Sequence, residues 1–97
     1  MEKRGYVYIM FNKQNGALYT GVTTNLVKRV WEHKEGIHDG FFKRYKTDKL
    51  GYYVISDNIL STIEEEKRIK GGSRKQKIDL IESMNLQWRD LFDDIVG

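Results

Sequence analysis

The chain has 97 residues, of which 39% are hydrophobic and 32% are charged, a balance typical of one globular domain rather than a disordered segment. It has no cysteine and only two histidines, which excludes a disulfide framework, a thiolate metal site and a zinc site built from histidine alone. The formal net charge of +3 weakly favours a polyanionic partner, and neither a membrane span nor a signal peptide is recognisable, so we expect a single cytoplasmic domain over residues 1–97.

A strand pair is predicted at the start of the chain. Residues 5–11 and 17–22 have strand character, and Asn15–Gly16 is a strong hairpin turn signal. A two-residue loop would divide the side chains between a core face and a second face. The core face would carry Val7, Ile9, Phe11, Leu18, Thr20 and Val22, and the second face Tyr6, Tyr8, Met10, Ala17, Tyr19 and Gly21. Since glycine has no side chain, Gly21 is expected to leave space for a ligand above the tyrosines.

The first helix is predicted to begin after caps in residues 23–25 and to end near Gly36. Its apolar stripe would be Leu26, Val27, Val30 and Trp31. Arg29 and His33 are four residues apart, so they should lie one turn from each other at the edge of this stripe.

The second half of the chain predicts one strand and two helices. The strand covers residues 50–55, and the helices cover residues 59–70 and 74–84, with Gly71 and Gly72 between them and a capping box from Ser73 to Gln76. The tail has Trp88, Leu91 and Phe92 available to close the core. The expected fold class is therefore α/β (α+β), with a small three-stranded, mainly antiparallel sheet flanked by helices in the order β-β-α-β-α-α.

Four kinds of side chain could support chemistry. A tyrosine phenol, with a pKa near ~10, acts as a base only where the site stabilises the phenolate. Arg29 could bind a phosphate and His33 could transfer a proton, although a packing tyrosine, a surface arginine and a packed histidine are each the commoner case when the residue is taken alone. At ~100° per residue, Glu66 faces the interior, where its carboxylate would need a divalent cation or an ion pair with Lys70 or Arg29.

A basic run follows Glu66. Residues 67–77 contain six basic side chains and no acidic one, whereas residues 82–97 contain four acids and one base. This local positive charge is expected for a surface that follows phosphates, although a run of this kind is usually a solvated helix end. The candidates for phosphate contact are Lys67, Lys70, Arg74, Lys75 and Lys77. In the loop of residues 36–49, the aromatic residues Phe41, Phe42 and Tyr45 could stack on bases or belong to a minor core.

Taken in order, these residues resemble the GIY-YIG nuclease family, and most closely its small, single-domain bacterial branch, similar to the N-terminal nuclease domain of the excinuclease C subunit. Residues 6–8 (YVY) stand where the GIY element lies, and residues 19–21 (YTG) match YIG. The spacing of Arg29, His33 and Glu66 also fits, and the resemblance covers nearly the whole chain. Tyr6 replaces the glycine of the motif, and Gly72 stands where related proteins often have tryptophan.

The resemblance implies a metal-dependent DNA endonuclease of repair or recombination. Glu66 would hold Mg²⁺ or Mn²⁺, Arg29 would neutralise phosphoryl charge, and Tyr8 would be the general base with help from His33. Tyr19 would position water or phosphate, and the roles of the two tyrosines could be exchanged. DNA, branched or nicked, is the implied partner, with RNA, a repair protein or a second copy as further options.

Two alternatives of other classes remain open from the sequence. One is a catalytically silent nucleic-acid-binding module with the same fold. The other is a module that binds a repair protein through Trp88 and its neighbours.

Overall fold

The computed structural model describes residues 4–37 and 45–96, and their elements follow the predicted order β-β-α-β-α-α with one short helix added at the end. The strands are β1 (Gly5–Phe11), β2 (Leu18–Thr23) and β3 (Lys49–Ser56). The helices are α1 (Leu26–Glu35), α2 (Ile59–Lys70), α3 (Arg74–Met84) and the unpredicted α4 (Phe92–Val96). Within the described ranges, no helix has the length and apolar character needed to cross a membrane.

The sheet has β1 at its centre, with β2 and β3 antiparallel on either side. The two-residue hairpin loop predicted at Asn15–Gly16 is wrong. It would have paired residue 14 with residue 17, whereas Phe11 lies opposite Leu18 and residues 12–17 form the connection. The side chain of Asn12 holds this longer loop together by accepting the backbone N–H groups of Lys13 and Ala17. The register differs by two residues, so every side chain keeps its predicted face.

Both faces of the sheet are buried, whereas only one was predicted to be core. One cluster lies under α2 and α3 and contains Val7, Ile9, Phe11, Ile69, Ile81 and Trp88. The second lies under α1 and the tail and contains Tyr8, Met10, Leu26, Val30, Leu50 and Leu91. Tyr8 and Met10 on the tyrosine face are therefore part of a packed core under α1 and the tail, whereas Tyr6 and Tyr19 are half-buried. Of the predicted tail residues, Trp88 and Leu91 are buried and Phe92 is half-buried.

The predicted bounds of α1 are confirmed, but its rotation differs from the prediction. Asn25 caps the first turn through the Lys28 N–H group, and Gly36 ends the helix in the left-handed region at φ 63°. Val27 and Trp31, predicted to face inward, are 40% and 46% exposed, whereas His33 is 3% exposed. Leu26, Val30 and His33 follow the i, i+4, i+7 spacing of one helix face, and this face is the one that packs on the sheet.

The tail between α3 and α4 is fixed along β3. The Leu91 N–H group donates to the Leu50 carbonyl (2.8 Å), and the Asp90 carboxylate accepts the Leu50 N–H group (3.0 Å) and the Lys34 ammonium. Burial acts to raise the pKa of Asp90, but the hydrogen bonds from Lys34 and from the backbone of Leu50 and Phe92 outweigh it and hold the pKa below its usual range. A charged Asp90 thus joins α1, β3 and the tail.

Candidate active site

Tyr8 lies at the centre of the second core cluster and is completely buried. Its hydroxyl is 3.2 Å from His33 Nε2, and the two rings meet edge to face at 87° with their centroids 5.6 Å apart. His33 reaches this position because it follows Val30 on the face of α1 that packs against the sheet. The helix that completes the core therefore also supplies a hydrogen-bond partner for the phenol.

Tyr19 joins this pair from the neighbouring strand. Its ring centroid is 6.3 Å from that of Tyr8 and 5.2 Å from that of His33. Tyr19 lies opposite Met10 on β2, so it is displaced along the sheet from Tyr8 and is only half-buried. The three rings form a cluster in which Tyr8 is the inner phenol and Tyr19 the outer one.

Arg29 supplies positive charge beside the inner phenol. Burial raises the pKa of Tyr8 well above its usual value, and the nearby Tyr19 and Glu32 raise it further. The Arg29 guanidinium lowers this pKa, but by less than burial raises it. Tyr8 is therefore a neutral phenol at neutral pH. It can accept a proton from another group only if it passes its own proton on, and His33 Nε2 is the contact to which that proton can go.

Glu32 is a site residue that was not predicted. Its carboxylate lies 3.4 Å from Arg29 Nε, and its side chain is only 16% exposed. The i, i+3 spacing on α1 was the available signal for this pair. The pair restricts the orientation of the guanidinium and places a negative charge near Tyr8.

Gly21 does not leave open space above the tyrosines, and this prediction is wrong. A Cβ atom at Gly21 would lie 2.5 Å from the Tyr8 hydroxyl oxygen and 2.6 Å from Tyr8 Cζ. Gly21 is directly opposite Tyr8 in the β1–β2 ladder, so the Tyr8 ring lies across the strand backbone where a side chain would otherwise stand. The glycine is needed for the position of Tyr8 rather than for access of a ligand.

Changing Gly21→Ala is therefore expected to lower the free energy of unfolding by about 1–3 kcal/mol, since the core must shift to admit the new methyl group. Urea denaturation of four proteins measures this effect: the unchanged chain, Gly21→Ala, Tyr8→Leu and the double variant. The alanine should be less costly in the Tyr8→Leu background, because the clashing ring is gone. An equal cost in both backgrounds would show that the clash is with another group.

Glu66 faces inward from α2 and is 8% exposed. Its carboxylate forms an ion pair with the Lys70 ammonium at 3.1 Å, which is one of the partners considered from the sequence. The same ammonium lies 6.0 Å from the centroid of the Tyr19 ring, so Lys70 connects Glu66 to the edge of the tyrosine cluster.

The largely buried Glu66 carboxylate is an oxygen ligand of the kind that divalent metal ions prefer, and a metal ion bound there would displace the Lys70 ammonium. Over residues 4–37 and 45–96, no group of three or more histidine, aspartate or glutamate side chains could hold a metal alone. A metal ion at Glu66 would therefore take its other ligands from water and from substrate phosphate, as Mg²⁺ commonly does.

The predicted phosphate-binding residues are mostly engaged within the chain. Two of them form ion pairs, Lys70 with Glu66 and Lys75 with Asp79 at 2.9 Å. Two others donate hydrogen bonds to backbone carbonyls: the Arg74 guanidinium to Gly16, and the Lys77 ammonium to Gly72 at 2.8 Å. Exposed pairs of this kind are worth only ~0–1 kcal/mol, so phosphate could replace the partners of Lys75 and Arg74 at little cost. Lys67 is exposed on α2.

The predicted stacking aromatics are only partly covered by the structure. Tyr45 is 40% exposed, and its backbone carbonyl accepts the Asn12 side-chain amide at 3.1 Å. Phe41 and Phe42 lie outside the described residues.

Comparisons with known proteins agree with these observations. A family model described as the GIY-YIG catalytic domain matches residues 4–79, a span that contains Tyr8, Tyr19, Arg29, His33 and Glu66. A UPF0213 protein from Clostridium perfringens is 35% identical over 82 residues, which cover 84% of this chain and 87% of that protein. A UPF0213 protein from Syntrophus aciditrophicus is 34% identical over 79 residues, covering 80% and 90% respectively.

A solved structure shares the fold. The solution NMR structure of the UPF0213 protein BH0048 from Bacillus halodurans aligns with a TM-score of 0.56 at 24% identity. The alignment covers 90% of this chain and 92% of that chain.

Proposed function

The chain belongs to the GIY-YIG family, and from this premise we propose that it is a nuclease that hydrolyses phosphodiester bonds in DNA with the aid of Mg²⁺ or Mn²⁺. The observation that carries the proposal is the cluster of Tyr8, His33 and Arg29, in which a phenol, a proton acceptor and a permanent cation meet. Glu66 adds a buried carboxylate that Lys70 connects to the same cluster.

The proton path follows from the Tyr8–His33 contact. In the proposed step, the attacking water gives a proton to the Tyr8 oxygen, and the phenol passes its own proton to His33 Nε2. Tyr8 thereby acts as a base without existing as a free phenolate, which its raised pKa would make costly. The water oxygen bonds to phosphorus, and the bond from phosphorus to the 3′ oxygen breaks.

The remaining residues would bind and orient the substrate. Arg29 would neutralise charge that develops on the phosphoryl oxygens, and Glu32 would hold the guanidinium in place. Tyr19 would orient the water or the phosphate through its hydroxyl. When bound, the metal ion would stabilise the leaving oxygen, and Glu66 would hold it.

The assignment of Tyr8 rather than Tyr19 as the base rests on the hydrogen bond to His33 at 3.2 Å. Tyr19 also lies close to the histidine ring, so the exchanged roles considered from the sequence make a definite alternative. The two assignments predict different losses of DNA cleavage rate in the single variants Tyr8→Phe and Tyr19→Phe.

The Trp88 side chain itself is not available to a partner protein, although its neighbours Met84 and Leu86 are exposed. That side chain is 7% exposed, and its indole N–H group donates to Glu82 at 2.8 Å. Trp88 thus packs within the chain. The catalytically silent DNA binder remains the competing function to be tested.

An assay on supercoiled plasmid distinguishes a nuclease from a catalytically silent DNA binder. We expect the protein to convert the plasmid to nicked circles in Mg²⁺ or Mn²⁺ and to leave it unchanged in excess EDTA. Nicked, branched, single-stranded and RNA substrates in the same buffer would rank the substrate classes. Salt-sensitive DNA binding without any nicking in either metal would identify a silent binder instead.

A further inference from the structure

An open pocket lies at the hairpin end of the sheet, where the β1–β2 loop meets the segment leading into β3. Its lining is rich in positive charge and consists of Asn12, Lys13, Tyr45, Lys46, Asp48 and Lys49. We call this the lysine pocket. Its three lysines have no part in the proton path or in the basic run of residues 67–77.

Two hydrogen bonds fix the walls of the lysine pocket. The Asn12 side chain donates to the Tyr45 carbonyl at 3.1 Å, which joins the hairpin loop to the segment before β3. On the other side, the Lys34 ammonium donates to the Asp48 carbonyl at 2.9 Å and ties that segment to α1. The pocket is therefore part of the folded framework.

Lys46 has a backbone conformation that is unusual for a lysine. Its φ is 52°, in the left-handed region, and its carbonyl accepts the Asp48 N–H group at 2.8 Å in a tight turn. This conformation costs a residue with a side chain about 1–2 kcal/mol. The turn places this exposed lysine at the edge of the pocket.

The charges of the lysine pocket suit an anion. Three lysines and one aspartate line the pocket, and the Asp48 carboxylate lies 3.1 Å from Lys49 Nζ. The formal charge of these four side chains is +2, which attracts an anion such as a phosphate. The Tyr45 ring, 40% exposed, adds an aromatic surface against which a sugar or base can pack.

The pocket is also at a useful distance from the tyrosine cluster. Asn12 follows Tyr8 by four residues at the end of β1, which corresponds to roughly 13 Å at ~3.3 Å per residue. At a rise of ~3.4 Å per nucleotide, this separation is about four nucleotides of one strand.

From these observations we propose that the lysine pocket is a second backbone-binding site, which holds a phosphate of the nucleic-acid strand a few nucleotides from the bond that is cut. The inference rests on the proposed nuclease function and specifies how that site is extended. A strand held at both places would lie along the line that joins the tyrosine cluster to the hairpin end of the sheet. Oligonucleotides too short to span the two places should bind more weakly.

Charge-matched double variants test this proposal. In excess EDTA, so that nothing is cut, the anisotropy of a labelled 12-nucleotide strand is measured from 50 to 200 mM salt. For Lys13→Gln/Lys46→Gln we expect the slope of log K against log salt to fall by about 1.4, since each lost phosphate contact contributes ~0.7 on a single strand. Affinity at low salt should fall at least about tenfold. The control Arg4→Gln/Arg89→Gln removes two exposed charges elsewhere and should keep the slope.

The outcomes distinguish this inference from the proposed function. If the two double variants have equal slopes while the unchanged chain binds DNA in a salt-dependent way, the lysine pocket is not a phosphate-binding site. The proposed nuclease function would be unaffected by that result. Failure of the unchanged chain to bind any strand would overturn the nuclease function as well. Amide NMR spectra recorded with a 4- and a 12-nucleotide strand provide a second measurement, in which only the longer strand should shift Lys13, Tyr45 and Lys46 together with the tyrosine cluster. Thermal unfolding of both double variants controls for folding.

Discussion

Replacing Tyr8 with phenylalanine is expected to lower the rate of DNA cleavage by about a hundred- to ten-thousand-fold, the usual contribution of a general base. The substitution removes the oxygen that contacts His33 Nε2 and keeps the ring that fills the space beside Gly21. DNA affinity should stay nearly constant, because the lost hydroxyl is neutral and makes no ionic contact with a phosphate. Cleavage rates at saturating protein, together with anisotropy binding in EDTA, measure the two effects separately.

Tyr52→Phe is the matched control for this prediction. Tyr52 lies on β3 opposite Ile9, on the other face of the sheet, and burial raises the pKa of its phenol too. We expect this variant to cut DNA at the rate of the unchanged chain. Full activity of Tyr8→Phe combined with loss of activity in Tyr19→Phe would reverse the assignment of the two tyrosines.

Glu66→Gln is expected to lower metal-dependent cleavage by roughly a thousand-fold, which corresponds to the several kcal/mol that a bound metal ion supplies. The amide has nearly the shape of the carboxylate but lacks its charge, so both the ion pair with Lys70 and the affinity for a divalent cation are lost. Because the Lys70 side chain is 59% exposed, its ammonium can return to water and the fold should persist.

Glu64→Gln is the control, since it removes the same charge from an exposed position on the same helix. Titration with Mn²⁺, followed by electron paramagnetic resonance, reports metal binding without any reaction. Binding should be weakened in Glu66→Gln and retained in Glu64→Gln. If Glu66→Gln cut DNA at the rate of the control and bound Mn²⁺ equally well, Glu66 would not be the metal ligand.

The elements of the fold could be predicted from local sequence signals. Helix ends were predictable because Asn25, Ser73 and Gly36 act through groups only a few residues away. The faces of β1 and β2 were predictable although their loop was not, because alternation with period two survives a shift of two residues. The six residues 12–17 depend instead on the Asn12 side chain, which offers an alternative to the tight Asn15–Gly16 turn.

The packing between elements could not be read from single segments. The burial of Tyr8 depends on α1 and on the tail, and the exposure of Trp31 depends on the rotation of α1 against the sheet. Both depend on contacts between residues far apart in the sequence. The periodicity within one helix or strand carries no information about such contacts. The wrong prediction of open space at Gly21 has the same origin, since the Tyr8 ring from the neighbouring strand β1 fills that space.

The candidate site was predictable as a set of residues but not as an arrangement. Sequence resemblance selected Tyr8, Tyr19, Arg29, His33 and Glu66, and the first four lie together in the structure. The link from Glu66 to the cluster runs through Lys70, which had been assigned to phosphate contact. The chemical roles of all these side chains stay predictions until the variants are measured.

The tail along β3 has a practical consequence for anyone who works with this family. The span recognised by the family model stops at residue 79, yet Trp88 seals one apolar layer and Leu91 seals the other. A fragment that ends at residue 79 would lack both residues. Its two apolar clusters and the edge of β3 along which the tail lies would then be exposed to solvent. Such a fragment would adhere to its own copies, and its inactivity would then say nothing about the chemistry of the intact chain.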